Sequence, residues 1–240
     1  MNMHTVTRSA AALIAAGCIG GWSAVSAAAS TSPSPTPSSS SDTLSALKAR
    51  CNAEVQKREG TLGADMTFVE QSASLTPSDR STLEGQISSD QSGLTTLDQT
   101  IQNDSTYKQA HADCETIVTG FRVYVLEDPK IHEVIAADAV SASNASFEQL
   151  IPELQQLIDN SQKSQSVKDR AQDDLSDIRS KVSGSENSIS GVSASVIGLQ
   201  PSGYPGNRVV LQSAAQNIET SRDDLRGARD DVNDILQLLG

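Results

Sequence analysis

From Leu211 to Leu239 the chain repeats one step. Leu211, Ala214, Ile218, Ser221, Leu225, Ala228, Val232, Ile235 and Leu239 follow one another at intervals of three and four residues. Only an α-helix brings such a set to one side, and the stripe is as narrow as a coiled-coil seam. A helix of this kind cannot cover its own stripe, so it needs neighbouring helices with stripes of their own. The small residues among the large ones let neighbouring backbones approach closely. Arg222-Asp223-Asp224-Leu225 recurs seven residues later as Arg229-Asp230-Asp231-Val232, which keeps the charges on the wet face. These acids, with Asp173 and Asp174, do not read as a calcium site. No EF-hand loop is present, and carboxylates on a helix do not converge as that loop makes them do.

The same period runs upstream. Asp42 opens a first seam of Leu44, Leu47, Cys51, Val55, Leu62, Met66 and Val69. A second seam, Leu83, Ile87, Leu94, Leu97 and Ile101, follows a start signal in Thr76-Pro77-Ser78-Asp79. Thr76 suits the N-cap, Pro77 the first helical position and Asp79 the acid of a capping box. Ser105 caps a third seam of Ala110, Cys114, Ile117, Phe121 and Tyr124. The fourth carries Ile131, Val134, Ile135, Ala142, Leu150, Leu154 and Leu157, with Pro152 expected to bend it or mark a break near Ser146. The fifth runs through Val167, Ala171, Leu175, Ile178, Val182, Ile189, Val192 and Val196, its second half weakened by Ser and Gly. Short turns between such helices make neighbours antiparallel. The expected fold is all-α: elongated antiparallel bundles of about six long helices in two consecutive three-helix units, spectrin-like, over residues 42–127 and 128–240.

The joint between the units falls in Ile117 to Asp138. FRVYVL is rich in β-branched and aromatic residues, yet its phase continues the third seam, and helix is expected. Asp128 and Pro129 then read as cap and first residue of the fourth helix. Whether the third helix kinks into the fourth or folds back on it is open from sequence. Asp138 falls on the apolar face of the fourth helix, and a buried carboxylate needs a partner. Arg122 would lie opposite it if the chain folds back. Tyr204, in the QPSGYPGN break, suits the cover of a bundle end. Phe121, Arg122, Tyr124, Asp138 and Tyr204 are therefore the candidate interaction and joint residues. His132, Glu133 and Asp138 offer too few convergent ligands for a metal, and no metal or cofactor is expected.

Composition narrows the rest. The net charge is −12, which excludes an electrostatic nucleic-acid binder. Residues 1–29 carry Arg8, an apolar run and the small residues Ser26 to Ala29, the three parts of a signal peptide. Ala15-Ala16-Gly17-Cys18 also offers a lipidation motif without its usual Leu, so membrane attachment is expected only through Cys18. Residues 30–41, STSPSPTPSSSS, form an extended Ser/Thr/Pro linker. With export, Cys51 and Cys114 are an even pair. Each lies nine residues past its helix cap, at matching height on parallel helices. A disulfide there is expected, worth about 4 kcal/mol in the loop-entropy account. His111 near Cys114 has no third group to orient it as a base. GxSxG, P-loop, HExxH and CxxC patterns are all missing, so no catalytic residue is assigned.

FRVYVLEDPK, the AADA at Ala136–Ala139, the YPGN at Tyr204–Asn207 and the final DLRGARDDVNDIL together resemble an uncharacterised family of exported α-helical, coiled-coil-like proteins of high-GC Gram-positive bacteria, over about Leu44 to Gly240. The resemblance implies compartment and helical architecture and no chemistry. The expected function is that of an exported, non-enzymatic helical-bundle protein of the cell envelope: a scaffold, spacer or adhesion module with a protein or cell-wall partner. The alternative is a module that binds a wall glycan or lipid in a groove between the two bundles.

Overall fold

The computed structural model describes residues 43–240. The expected signal peptide, the linker, Cys18 and Asp42 lie outside the described residues. Helices α1 (Leu44–Gln71), α2 (Pro77–Asn103) and α3 (Tyr107–Thr119) pack as one three-helix unit. Helices α4 (Glu127–Asn160), α5 (Gln165–Ile189) and α7 (Asn207–Leu239) form the second. The short α6 (Val192–Ile197) and two 3-10 turns, Val123–Val125 and Pro201–Gly203, complete the chain, which has no strand among the described residues. The protein is an all-α helical bundle, with five long helices where about six were expected. No described helix is long and apolar enough to cross a membrane.

Hydroxyls start three of the helices. Thr76 caps α2 as expected, its Oγ1 accepting from the Asp79 amide at 3.1 Å. At α1 and α3 the cap is one residue later than the sequence suggested. Thr43 Oγ1 accepts from the Ala46 amide at 3.2 Å, and Thr106 Oγ1 from the Gln109 amide at 3.3 Å. Each hydroxyl satisfies an amide that has no partner within its helix.

The joint corrects two further expectations. FRVYVL is not α-helix: α3 stops at Thr119, Arg122 takes a left-handed φ of 49°, and Val123–Val125 form only a 3-10 turn. Its carbonyl accepts from the amides of Val125, at 3.1 Å, and Leu126, at 2.9 Å. The β-branched residues that disfavoured helix here prevailed over the seam phase. Asp128 is not a cap, because α4 starts at Glu127 behind Leu126, and Pro129 lies in the first turn. Of the two outcomes expected of Pro152, a bend or a break near Ser146, the break does not occur: α4 runs unbroken for 34 residues with Pro152 inside it, and buried Leu150, Leu154 and Ile158 flank it and hold that stretch against α5 and α7. The fifth helix, by contrast, ends at Ile189. Gly191, at φ 72°, turns the chain left-handed before α6, a conformation that other residues enter only at a cost.

The register through the joint settles the open question of direction. Cys51 and Cys114 form the disulfide, with Cα atoms 5.7 Å apart and a sequence separation of 63. Further along α1, Arg58 lies over the Tyr124 ring at 4.9 Å and Phe68 packs on His132 with ring centroids 4.8 Å apart. Asp65 meets Asp128 at that same separation of 63. The chain therefore kinks and continues along α1, and α4 takes over the groove that α3 leaves. Beyond the end of α1 the helix passes into the second unit. There Gln155 pairs with Gln172 at 2.9 Å, and Ser221 donates to the Ser185 carbonyl at 3.0 Å. The two bundles are laid end to end with α4 common to both. Buried Leu75, Val123, Leu126, Ile131, Val134, Val192 and Val196 carry one apolar core across the joint, so the boundary drawn at 127/128 is not a gap in packing.

Breaking the disulfide by paired Cys51→Ser and Cys114→Ser substitution should destabilise the chain by about 2–5 kcal/mol. Urea unfolding of the oxidised and substituted proteins measures this; equal midpoints would show that α1 and α3 hold their register without the bond.

Candidate functional site

Among the described residues, charge is buried most densely at the joint. The seam of α1 carries two polar residues among its apolar ones: Cys51, Val55, Arg58, Leu62, Asp65 and Val69 keep steps of three and four. Both polar residues are buried. Arg58 reaches back to Glu54, its Nη1 3.0 Å from the carbonyl and 2.7 Å from Oε2, and lies over Tyr124. Asp65 faces Asp128 and His132 of α4, one donor atom of each lying within 4.8 Å of the others. His132 Nε2 stands 3.5 Å from Asp128 Oδ1. Burial, then the Asp128 charge, pushes the Asp65 carboxyl up to about 6. The hydrogen bond with His132 holds Asp128 below the usual carboxylate range and raises His132.

On another face of the same stretch of α4, Lys130 Nζ lies 2.5 Å from Glu127 Oε2, both side chains almost wholly buried. Lys130 also donates to the Leu199 carbonyl at 3.3 Å, tying the first turn of α4 to the chain after α6. Burial pushes Glu127 up and the Lys130 ammonium pulls it partly back. Asp90 of α2 stands by the pair, and burial followed by the Glu127 charge pushes it up to about 6. These groups line a pocket of about 360 Å³ with Ser81, Gln86, Gln200 and Pro201.

A third group lies at the start of α2. Asp138 accepts from the Thr76 amide at 3.0 Å. In a capping box that amide is satisfied by an acid of its own helix; here the acid comes from α4, 62 residues on. Asp79, expected in that role, instead accepts from Ser193 Oγ of α6 at 3.0 Å. Burial raises Asp138, and the Thr76 amide partly offsets it. Arg122 is therefore not its partner. The Arg122 guanidinium lies over the Tyr204 ring at 4.2 Å and closes the end of the second bundle. Phe121 packs against Gly93, where an added Cβ would come within 2.7 Å of the ring. Tyr124 keeps an exposed edge but has Arg58 on its face. The candidate aromatics are thus gathered at the joint, each with a ring face or edge already covered by protein.

Sequence reasoning named Asp138, Arg122 and the three aromatics but missed Asp65, Asp90, Lys130 and Phe68. Asp65 left a signal, since it and Arg58 interrupt an apolar seam at seam positions. The pairing of Asp65 with His132 left none, because it depends on how the kink sets α4 along α1.

As chemistry, the joint offers acids, one imidazole and one ammonium. The Ser193 hydroxyl donates to a carboxylate, with no imidazole among its hydrogen-bond partners. Lys130 is held by Glu127 and a carbonyl. Comparison with protein-family models, curated proteins and solved structures gave no match.

Two outcomes follow. Lys130→Met leaves Glu127 buried without its partner and should cost about 3–5 kcal/mol, whereas the double variant Glu127→Leu/Lys130→Met should regain most of that. Chemical denaturation of the three proteins checks it. The second concerns Asp90, which burial pushes up to about 6 from the ordinary carboxylate value of 3.8. The folded chain binds this proton more tightly, so the group costs stability above pH 6 and the cost disappears as pH falls towards 4. After discounting for solvent screening the cost is about 1 kcal/mol, or about 2–4 °C. Asp90→Asn should raise the melting temperature by that much at pH 7.5 and leave it unchanged near pH 4.

Proposed function

We propose that this chain is an exported, non-enzymatic protein of the bacterial cell envelope that works as a helical scaffold or spacer and presents polar helix faces to a protein or cell-wall partner. One observation carries the reading: α4 runs unbroken from the first bundle into the second and is fastened to both, so the two units act as one stiff body. An uninterrupted helix of 34 residues spans about 50 Å at 1.5 Å per residue. Such a body sets a distance or displays a surface without needing a reaction centre. The apolar seams are turned inward, and few large apolar side chains are exposed, Val209 the most. The N-terminal pattern of a signal peptide followed by a Ser/Thr/Pro linker supports placing it outside the cytoplasm. Through Cys18, lipidation would hold it at a membrane.

The alternative, a binding module between the bundles, is favoured by the joint pocket. It is lined by polar groups, and the buried Gln86 Oε1 has no hydrogen-bond partner there. Against it, the rings of Tyr124 and Tyr204 that would stack on a sugar each have a guanidinium over them.

Crosslinking in the native envelope, followed by fractionation, tests the proposal. The expected result is recovery in the envelope fraction, crosslinked to one recurring protein or wall component. Recovery wholly as uncrosslinked protein in the medium or in the cytoplasm would remove it.

A further inference from the structure

Asp65, Asp128 and His132 combine two oxygen donors and one nitrogen donor from two helices. The three donor atoms lie within 4.8 Å of one another. Asp65 is 3 % exposed, and its Oδ2 has no hydrogen-bond donor. A buried carboxylate oxygen in that condition is costly unless something positive meets it. Its neighbours on α4 are another carboxylate and an imidazole, and Asp65 arrives from α1 on the same register that the disulfide sets. Phe68 packs on the imidazole with ring centroids 4.8 Å apart.

We infer that this cluster is a binding site for a first-row divalent transition ion, Zn²⁺ foremost, which bridges α1 to α4 across the joint. The donor set selects the ion. An imidazole with two carboxylates suits Zn²⁺ and its neighbours; affinity for such a site rises from Mn²⁺ to Cu²⁺ and falls back at Zn²⁺, but Zn²⁺ has no d-electron geometric preference and accepts four nitrogen and oxygen ligands with water as one of them. Ca²⁺ wants six to eight oxygens, and Mg²⁺ keeps most of its water, so both bind such a site weakly. Donors on one Zn²⁺ at about 2.1 Å stand no more than about 4.2 Å apart. The remaining gap closes by rotation of the Asp128 and His132 side chains, which are 36 % and 30 % exposed. That exposure also provides the entry path and leaves a coordination position to water. The ion would satisfy the orphan oxygen of Asp65 and lock the angle at which the second bundle leaves the first. This inference does not depend on where the protein works.

The test uses the full chain with its disulfide intact, stripped by a chelator and returned to chelator-free buffer. Zn²⁺, Co²⁺, Mg²⁺ and Ca²⁺ are titrated separately by calorimetry, and melting is followed at each end point. One equivalent of Zn²⁺ is expected to bind and, at a hundredfold excess over its dissociation constant, to raise the midpoint by about 5–10 °C. Co²⁺ should give the visible absorption of a nitrogen-and-oxygen site, and Mg²⁺ and Ca²⁺ should give no comparable shift. Asp65→Asn and His132→Gln should each lose the single saturable site, and the exposed acid variant Asp230→Asn should keep it. Asp65→Asn removes a desolvated charge, so its ion-free midpoint should match or exceed that of the parent, which separates loss of binding from loss of fold. Several weak equivalents unaffected by Asp65→Asn, as an acidic surface alone would give, would overturn the inference. So would the absence of any Zn²⁺ shift, with a midpoint that follows pH alone.

Discussion

The Cys51–Cys114 bond sets one register, and the joint inherits it. A covalent tie between α1 and α3 leaves those helices no freedom to slide. Every later meeting along α1 then falls at a comparable offset: Arg58 on Tyr124, Asp65 on Asp128, Phe68 on His132. The break between α3 and α4 could have reset that register, since Gly120 to Leu126 are not α-helical. It does not, because the left-handed Arg122 and the 3-10 turn bring the chain back to the same groove on α1. The first bundle is thus three-helical throughout, although its third strand of packing is made by two helices.

At the joint the protein carries charges where it could have carried leucines. Buried ion pairs cost desolvation that their attraction seldom exceeds by much. They are directional, however, and an apolar contact is not. Lys130 bound to Glu127 and the Leu199 carbonyl, and Asp138 bound to the Thr76 amide, can be satisfied in few arrangements of the two bundles. Apolar seams meeting end to end would tolerate many angles. The polar groups therefore specify a geometry that the greasy core only permits. The second bundle holds a smaller instance of the same principle. Ser221 donates to the Ser185 carbonyl inside the core. A polar layer in a coiled-coil core disfavours slipped pairings of its helices.

Much of the fold was legible because helical burial is periodic. The steps of three and four mark α1, α2, α5 and α7, and the even cysteine pair joined the two helices it was expected to join. Caps were legible to within one residue, since Thr, Ser and Asp can each fill the role and neighbours in the sequence compete for it. The site was legible only in part. Asp138 announced itself as an acid on an apolar face. Its partner could not be named, because a backbone amide at the start of another helix has no signature of its own. Asp65 stood in plain view as a seam position with the wrong chemistry.

By itself the amino-acid sequence determined that the chain would be helical, which faces would be buried and which thiols would meet, because these follow from spacing along one chain. Tertiary structure alone decided that α4 would continue along α1 rather than fold back, that Arg122 would cover Tyr204, and that Asp65 would face His132. Those outcomes turn on a few dihedral angles between Gly120 and Leu126. A small rotation there carries the whole second bundle to another place, and no period in the sequence records it.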